Sequence, residues 1–145
     1  MLKINRRTDY AIRVMVCLSK RPPGSRVPTQ EIQKEMLVPR AFLQRIVADL
    51  AKKKLLHTFP GPNGGLQLSR PIESTTLREV YEAIEGPLLI SDCLSGPKEC
   101  PLESGCPVHP RWRHLQEILV HELESITLSQ LALDAERILA QAVSI

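Results

Sequence analysis

Residues 39–69 read PRAFLQRIVADLAKKKLLHTFPGPNGGLQLS, and this stretch decides the fold. Apolar side chains recur at helical spacing behind Pro39, which predicts an amphipathic helix with one buried stripe. That predicted stripe consists of Phe42, Leu43, Ile46, Val47 and Leu50. After the helix, the turn GPNGG separates two short apolar runs, which predicts a β-hairpin. The predicted strands are residues 55–59 and 66–69, and the predicted turn between them is residues 61–65.

Two further helices are predicted upstream of this unit. An amphipathic helix runs from Thr8 to about Lys20, where RPPG at 21–24 ends it. Thr29 caps a second, shorter helix that carries Ile32 on its apolar side. Three short helices, a basic run at 52–54 and a hairpin are the pattern of a winged helix-turn-helix. In that fold the third helix enters the major groove of DNA, and the hairpin, or wing, lies along the backbone or minor groove.

The predicted third helix carries polar side chains opposite its apolar stripe. A solvated surface is the plainer interpretation of any polar helix face, but these side chain types also suit contact with base edges or phosphates. The polar residues on this face are Arg40, Gln44, Arg45, Asp49 and Lys52.

Charge is divided unevenly along the chain, and the division favours DNA contact. Residues 1–70 hold 14 Lys and Arg against 4 Asp and Glu, a balance of +10, whereas residues 71–145 hold 5 against 12, a balance of −7. A polycationic half indicates a nucleic-acid-binding surface. No recognisable catalytic motif accompanies it, so an enzyme such as a thiol or metal hydrolase is disfavoured. The residues predicted to contact double-stranded DNA are Thr29, Gln30, Arg40, Gln44, Arg45, Lys52, His57 and Asn63.

Composition indicates a globular protein in the cytoplasm. Apolar residues make up 43% of the chain and charged residues 24%. The first residues lack the apolar segment of a signal peptide, and no apolar run approaches the roughly 18 residues that a membrane span needs. In the cytoplasm thiols are held reduced, so clustered cysteines bind metal or sense redox state more often than they form disulfides.

The second half predicts helices and an oligomerisation surface. Thr76 and Glu79 form a capping box, Gly86 ends that helix, Pro110 begins a long amphipathic helix, and Thr127 caps a last one. The long helix either folds back on its own domain or pairs with a second subunit. We favour a homodimer, because helix-turn-helix proteins bind paired half-sites.

The predicted fold class is therefore mainly α with a small β-hairpin wing and a long C-terminal dimerisation helix. The predicted division is a winged helix-turn-helix domain at 1–86, a cysteine-rich loop at 87–109 and dimerisation helices at 110–145.

Three of the four cysteines lie in the loop, as Cys93, Cys100 and Cys106, with His109 three residues after the last. Thiolates with one imidazole suit zinc, copper(I) or an iron–sulfur cluster. The gaps of six and five residues are wider than the CxxC pairs of structural zinc, which suits a loop around something larger than one ion. A thiol switch remains the alternative. Cys17 lies within the first helix and is interpreted as a core thiol.

Four motifs in order resemble the Rrf2 family of bacterial winged-helix regulators: TDYAIRVMVCL at 8–18, GPNGG at 61–65, the cysteine loop, and ITLSQL at 126–131. The resemblance covers nearly the whole chain. It implies a homodimeric repressor or activator on a palindromic operator. It also implies that Cys93, Cys100 and Cys106 hold a 2Fe-2S or 4Fe-4S cluster that senses redox state, nitric oxide or iron supply.

The resemblance leaves the fourth cluster ligand open. His109 matches the histidine that one branch of the family uses, and Asp9 matches the aspartate that another branch supplies from the partner subunit. Histidine ligation raises the potential of a cluster and makes ligation sensitive to pH. Asp9 can equally serve as a favourable charge in the first turn of its helix.

The chain departs from the family pattern in the wing and in the cysteine loop. Pro60 replaces the arginine that typically precedes the glycine-rich turn, so wing binding is expected to depend on backbone amides, Asn63 and His57. The gap between Cys93 and Cys100 is one residue longer than the common spacing. Relatives without a cluster also exist, so a regulator switched by cysteine oxidation or by a partner protein is the alternative function.

Overall fold

The computed structural model describes residues 3–144, and within them six α-helices and one β-hairpin are present. The predicted fold class, mainly α with a small β-hairpin wing, is confirmed. No helix in this described part is long and apolar enough to cross a membrane. The elements in chain order are α1 (Arg6–Ser19), α2 (Thr29–Met36), α3 (Arg40–Lys52), β1 (Leu56–Phe59), β2 (Gly65–Leu68), α4 (Leu77–Glu85), α5 (His109–Ser125) and α6 (Leu128–Val143).

The first three helices enclose the core. Asn5 caps α1 by accepting a hydrogen bond from the backbone N–H of Thr8 at 3.0 Å, which explains why α1 begins before the predicted Thr8. Full burial of a large apolar side chain stabilises the fold by roughly 1.5–3 kcal/mol, so α1, α2 and α3 depend on one another. The side chains with no exposed surface include Val14, Met15, Ile32, Ile46 and Leu50.

The apolar stripe of α3 is narrower than the sequence predicted. Leu43, Ile46 and Leu50 are buried, but Phe42 is 37% exposed, so its predicted place in the core is wrong. Its ring instead packs edge-to-face on Tyr10 of α1, with centroids 5.2 Å apart. An edge-to-face pair of this kind stabilises the rim of the core, where Tyr10 is buried and Phe42 stays partly exposed.

The wing is a two-stranded antiparallel hairpin extended by one residue from the α1–α2 connection. Leu56 pairs with Leu68 and Phe59 with Gly65. Val27 then bridges Leu66 on the free edge of β2, with both backbone N–H···O hydrogen bonds at 2.9 Å. The hairpin is thus fixed to the segment that leads into α2, which sets the position of the wing beside the helix-turn-helix.

The C-terminal helices are attached to the first half by a second backbone junction. Thr76 and Thr127 each head a capping box, and the two segments bridge each other. The N–H of Leu77 donates to Ile126 at 2.8 Å, and the N–H of Leu128 donates to Thr75 at 2.9 Å. The buried Leu128 side chain joins the same core as α1 and α3. The division at 86 and 109 stays a prediction, and its outer bounds, 1 and 145, lie outside the described residues.

The α5 helix begins at His109, one residue before the predicted start, and leaves an apolar stripe in solvent. Four large apolar side chains at spacings of three, three and one residue share this stripe. They are each 40–50% exposed: Trp112, Leu115, Ile118 and Leu119.

The close approach of Val27 to the wing depends on a glycine. Gly65 has φ +143°, and a Cβ there would lie 2.3 Å from the carbonyl oxygen of Val27. We predict that Gly65→Ala lowers the free energy of unfolding by about 2–3 kcal/mol, because the strained backbone and the clash break the bridge to β2. Urea titration followed by circular dichroism measures the change.

The matched control is Gly105→Ala, because a Cβ at Gly105 meets nothing within 4 Å. This variant is expected to stay within about 0.5 kcal/mol of the wild type. Equal stability of the Gly65 and Gly105 variants would contradict the role assigned to the bridge.

Candidate DNA-binding surface and cysteine loop

The N-terminus of α2 and the outer face of α3 form one groove. Proline is the N-cap residue of each helix, and the side chains of each first turn, such as Thr29 and Arg40, are exposed. A concavity of about 400 Å³ runs between the two helices. Its polar lining consists of Thr29, Gln30, Gln33, Arg40 and Gln44.

A second groove joins the helix-turn-helix to the wing. This groove, of about 650 Å³, is lined by Thr29, Gln30 and Val47 on the helix side. Thr58, Phe59 and the turn of the hairpin line the other side. Because the two grooves share Thr29, Gln30 and Val47, they form one continuous surface, called here the helix–wing surface.

All eight residues predicted to contact DNA are exposed. Thr29, Gln30, Arg40 and Gln44 line the helix–wing surface, while Arg45 is exposed one residue further along α3. Lys52 lies at the last turn of α3. The remaining two, His57 and Asn63, lie on β1 and in the wing turn respectively.

The positive charge of α3 is not neutralised within the described residues. No carboxylate of residues 3–144 lies within 4.0 Å of Arg40, Arg45 or Lys52. Asp49, by contrast, forms an ion pair with Arg7 of α1. The acidic residue of the predicted polar face is therefore neutralised, and the basic ones are free to attract phosphate.

Sequence reasoning missed a cation beside the wing. The guanidinium of Arg26 lies 3.7 Å from the ring centroid of Phe59. Arg26 precedes Val27 in the segment that bridges β2, a single bridge too short to give a strand pattern in the sequence. The available signal for an extended segment here was an arginine followed by a β-branched residue and Pro28, and that signal is weak by itself.

The three loop cysteines lie in a segment of tight turns between α4 and α5. Cys93 is in a single 3₁₀ turn at Asp92–Leu94, and Cys100 and Cys106 flank a second one at Glu103–Gly105. All three are half-buried and carry free thiols. Cys17 is fully buried, and burial raises the pKa of its thiol, so it remains protonated and inert as predicted for a core thiol.

His109 is buried at the base of the loop. Its Nε2 lies 2.8 Å from an Nη2 donor of Arg113 and 3.6 Å from Oε1 of Glu103. Its Nδ1 is buried and has no hydrogen-bond partner among the described residues. A cavity of about 320 Å³ is lined by His109, Cys93, Glu103 and Arg113 together with Gln116. The structure thus brings the imidazole and one of the three thiols to the same cavity.

Asp9 lies elsewhere, in the first turn of α1. Its carboxylate pairs with Arg13 at 2.7 Å, and both line a separate cleft with Lys3 and Arg6. Asp9 therefore does not line the cavity that holds Cys93 and His109.

The donor chemistry of the loop fits an iron–sulfur cluster, but the described residues do not preassemble a site. Three free thiols and a buried imidazole nitrogen without a partner are the ligand types that such clusters use. Within residues 3–144, no group of three His, Cys, Asp or Glu side chains lies close enough to hold a metal ion. The loop would have to fold around a bound cluster.

Comparison with known proteins agrees with the geometry. Residues 4–134 match the family model of Rrf2, described as an iron-dependent transcriptional regulator. Protein aau3 of Rhizobium meliloti is 30% identical over 132 residues, which cover 90% of this chain and 84% of that protein. The regulator IscR of Klebsiella pneumoniae is 26% identical over 135 residues, covering 93% and 82%.

Solved structures share the fold. CymR of B. subtilis, described as a global cysteine regulator, superposes with a TM-score of 0.73 at 23% identity, covering 91% of this chain and 97% of that one. T. potens IscR gives a TM-score of 0.73 at 22% identity, covering 94% and 90%. Since the family model spans both the helix–wing surface and the cysteine loop, the chain belongs to the Rrf2 family and is a DNA-binding transcriptional regulator, not an enzyme.

Proposed function

We propose that this regulator binds a palindromic operator as a homodimer through the helix–wing surface, and that an iron–sulfur cluster on the cysteine loop controls its affinity for DNA. The observation that carries the proposal is the joint presence of two features. One is an exposed cationic face on α3 that is continuous with the wing. The other is a loop with three free thiols and a buried, unpartnered imidazole nitrogen.

On the DNA side, each exposed residue receives a role from its position. Gln44 and Arg45, which are exposed on the first half of α3, are proposed to read base edges in the major groove. Thr29, at the α2 N-terminus, and Lys52, at the α3 C-terminus, are proposed to contact the flanking phosphates. The remaining candidates are assigned to phosphate or backbone contacts: Gln30, Arg40, His57 and Asn63.

The exposed stripe of α5 supports the homodimer. Leu115 is 45% exposed and Ile118 is 50% exposed, although both lie on a well-formed helix of 17 residues. A contiguous apolar stripe on a soluble protein marks an association surface, and a second copy of α5 offers the same stripe in return. Pairing through this helix would place two copies of α3 on paired half-sites.

The loop residues are proposed to hold the cluster. Cys93, Cys100 and Cys106 would supply three ligands, and the cavity shared by Cys93 and His109 favours His109 over Asp9 as the fourth. When bound, the cluster supplies a redox-active iron group that oxidants or nitric oxide can alter, in agreement with the iron dependence in the family description.

The loop is connected to both functional surfaces. The backbone N–H of Ile90 donates to Gln116 of α5 at 3.2 Å, which attaches the start of the loop to the helix with the exposed apolar stripe. On the other side, Glu85 at the end of α4 accepts from the hydroxyl of Thr8 and the amide of Asn5 in α1 and its cap. A change in loop order would therefore reach the dimer helix and the DNA-binding core by short routes.

A cluster-free thiol switch is the second candidate. The half-buried loop thiols are accessible to oxidants, and the described residues do not gather them around one metal. Oxidation that joined two loop cysteines would constrain the same segment that a cluster would constrain.

For the DNA-reading face, Arg45→Ala is expected to weaken binding to the cognate duplex by about 5- to 150-fold, because a bidentate base contact contributes about 1–3 kcal/mol. Fluorescence anisotropy with a duplex enriched by the wild type from a random library measures the loss. The control is Arg70→Ala, which removes an arginine already paired with Glu79 at 2.7 Å. Unchanged affinity in the Arg45 variant would contradict its role.

For the dimer, Leu115→Glu is expected to convert the protein to monomers, because it places a carboxylate in the apolar stripe. Sedimentation velocity measures the change, and DNA affinity should fall with it. The control is His121→Glu, which adds the same charge at another exposed position of α5. If the Leu115→Glu variant remains dimeric, the proposal that α5 forms the dimer interface is refuted.

For the cluster, protein purified without oxygen is expected to show visible absorption with iron and acid-labile sulfide in near-stoichiometric amounts. Cys100→Ser should lose most of both, whereas Cys17→Ala, in the core, should retain them. If the wild type shows neither colour nor iron after attempted reconstitution, the cluster proposal is overturned and the thiol switch becomes the proposed mechanism. Disulfide mapping of the three loop cysteines is then the deciding measurement.

A further inference from the structure

We infer that Arg26 is an additional DNA-contacting residue, a phosphate ligand held in place on the ring of Phe59. The inference rests on the proposed binding of DNA by the helix–wing surface and adds a residue that neither the wing nor the helix-turn-helix pattern contains. Residues 55–69, the whole hairpin, contain no lysine or arginine. A wing with no fixed cation lacks the phosphate attraction that dominates binding to duplex DNA.

The backbone bridge gives Arg26 a fixed place on the wing. Val27 pairs with Leu66 and is buried, with 4% of its surface exposed. Successive side chains of an extended segment point to opposite faces, so Arg26 lies on the outer face of the sheet. The amide of Gln67 donates to the carbonyl of Gly24 at 2.9 Å, which ties this connection to β2 a second time.

The contact with Phe59 prepares the guanidinium for a ligand. The guanidinium carbon lies 3.7 Å from the ring centroid, a separation too short for the planar group to stand edge-on, so one flat face covers the aromatic ring. The N–H donors lie around the edge of a guanidinium, so stacking leaves them available for the paired oxygens of a phosphate. A long side chain that is already held in one position loses less conformational freedom when it binds.

The surroundings leave this charge available. Arg26 is exposed, and no carboxylate of residues 3–144 lies within 4.0 Å of its guanidinium. Phe59 itself lines the groove between the wing and the N-terminus of α2. Because the guanidinium contacts that ring, the cation lies next to the wing side of the helix–wing surface. We assign it to the DNA backbone for that reason.

The test uses the whole 145-residue chain and the duplex that the wild type enriches from a random 30-base-pair library, a length of about three helical turns. Anisotropy titrations between about 50 and 200 mM salt give the slope of log affinity against log salt. For Arg26→Ala we expect a slope shallower by about 0.9 and an affinity roughly three- to tenfold lower at the low-salt end, as for one lost phosphate contact. Enrichment repeated with the variant should return the same base preferences.

Two variants isolate the contribution of the ring. Arg26→Lys keeps the charge, so the slope should stay near that of the wild type while affinity falls. Phe59→Leu keeps an apolar side chain without the π-face, and it should weaken binding in the wild-type background but not in the Arg26→Ala background. Thermal melting of each variant checks that the fold is retained.

The control for loss of one positive charge is Arg137→Ala, on α6, where Arg137 is exposed near Asp134. An Arg26→Ala slope equal to that of the wild type would overturn the inference, as would an Arg137→Ala change of the same size. Altered base preferences in the Arg26 variant would overturn the assignment to phosphate. A wild type that binds no duplex would instead refute the helix–wing surface as a whole.

Discussion

The structure depends on one close backbone contact, the bridge between Val27 and Leu66. Its two hydrogen bonds of 2.9 Å join the connection before α2 to the free edge of the wing. The chains can approach this closely because Gly65 has no side chain to meet the carbonyl of Val27. The bridge therefore fixes the distance between the wing and the helix-turn-helix, and with it the width of the groove between them. It also holds Arg26 beside Phe59.

A second set of contacts joins the DNA-binding half to the helices that follow. Paired backbone hydrogen bonds connect Thr75 and Leu77 with Leu128 and Ile126, so α4 and α6 begin at the same junction. Because Leu128 is also fully buried in the core of α1 and α3, movement of α6 cannot be independent of the helix-turn-helix. The α6 helix and the helix–wing surface thus belong to one packed unit.

The sequence predicted the features that repeat along the chain and missed those that depend on single contacts. The period of apolar residues located α1 and α3, and the glycine-rich turn located the hairpin, because these signals are local. Phe42 fits the apolar period of α3, but it lies at the rim, since Tyr10 provides a partner that no local pattern reveals. The stacking of Arg26 on Phe59 joins residues 33 positions apart, and only the fold brings them together.

The site was predicted in the same uneven way. Cysteine spacing identified the ligand types in the loop, and His109 was named from its distance to Cys106 along the chain. The burial of its imidazole and the proximity of Arg113 and Glu103 follow from its position in the first turn of α5, which spacing does not specify. Asp9, the other candidate for the fourth ligand, pairs instead with Arg13 of its own helix.

The cysteine loop has low local stability, which is consistent with a sensing role. None of the residues 91–108 is buried, and their backbone hydrogen bonds are short-range turns such as Leu94 to Ser91 and Gly105 to Leu102. A segment with so few buried contacts opens at a small cost in free energy, whereas α4 and α5 on either side are held by packing. A group that bound the three thiols would therefore change the order of this loop much more than that of the surrounding helices. Under the proposed function, that difference would let a small chemical event at the loop alter the spacing of two DNA-binding surfaces.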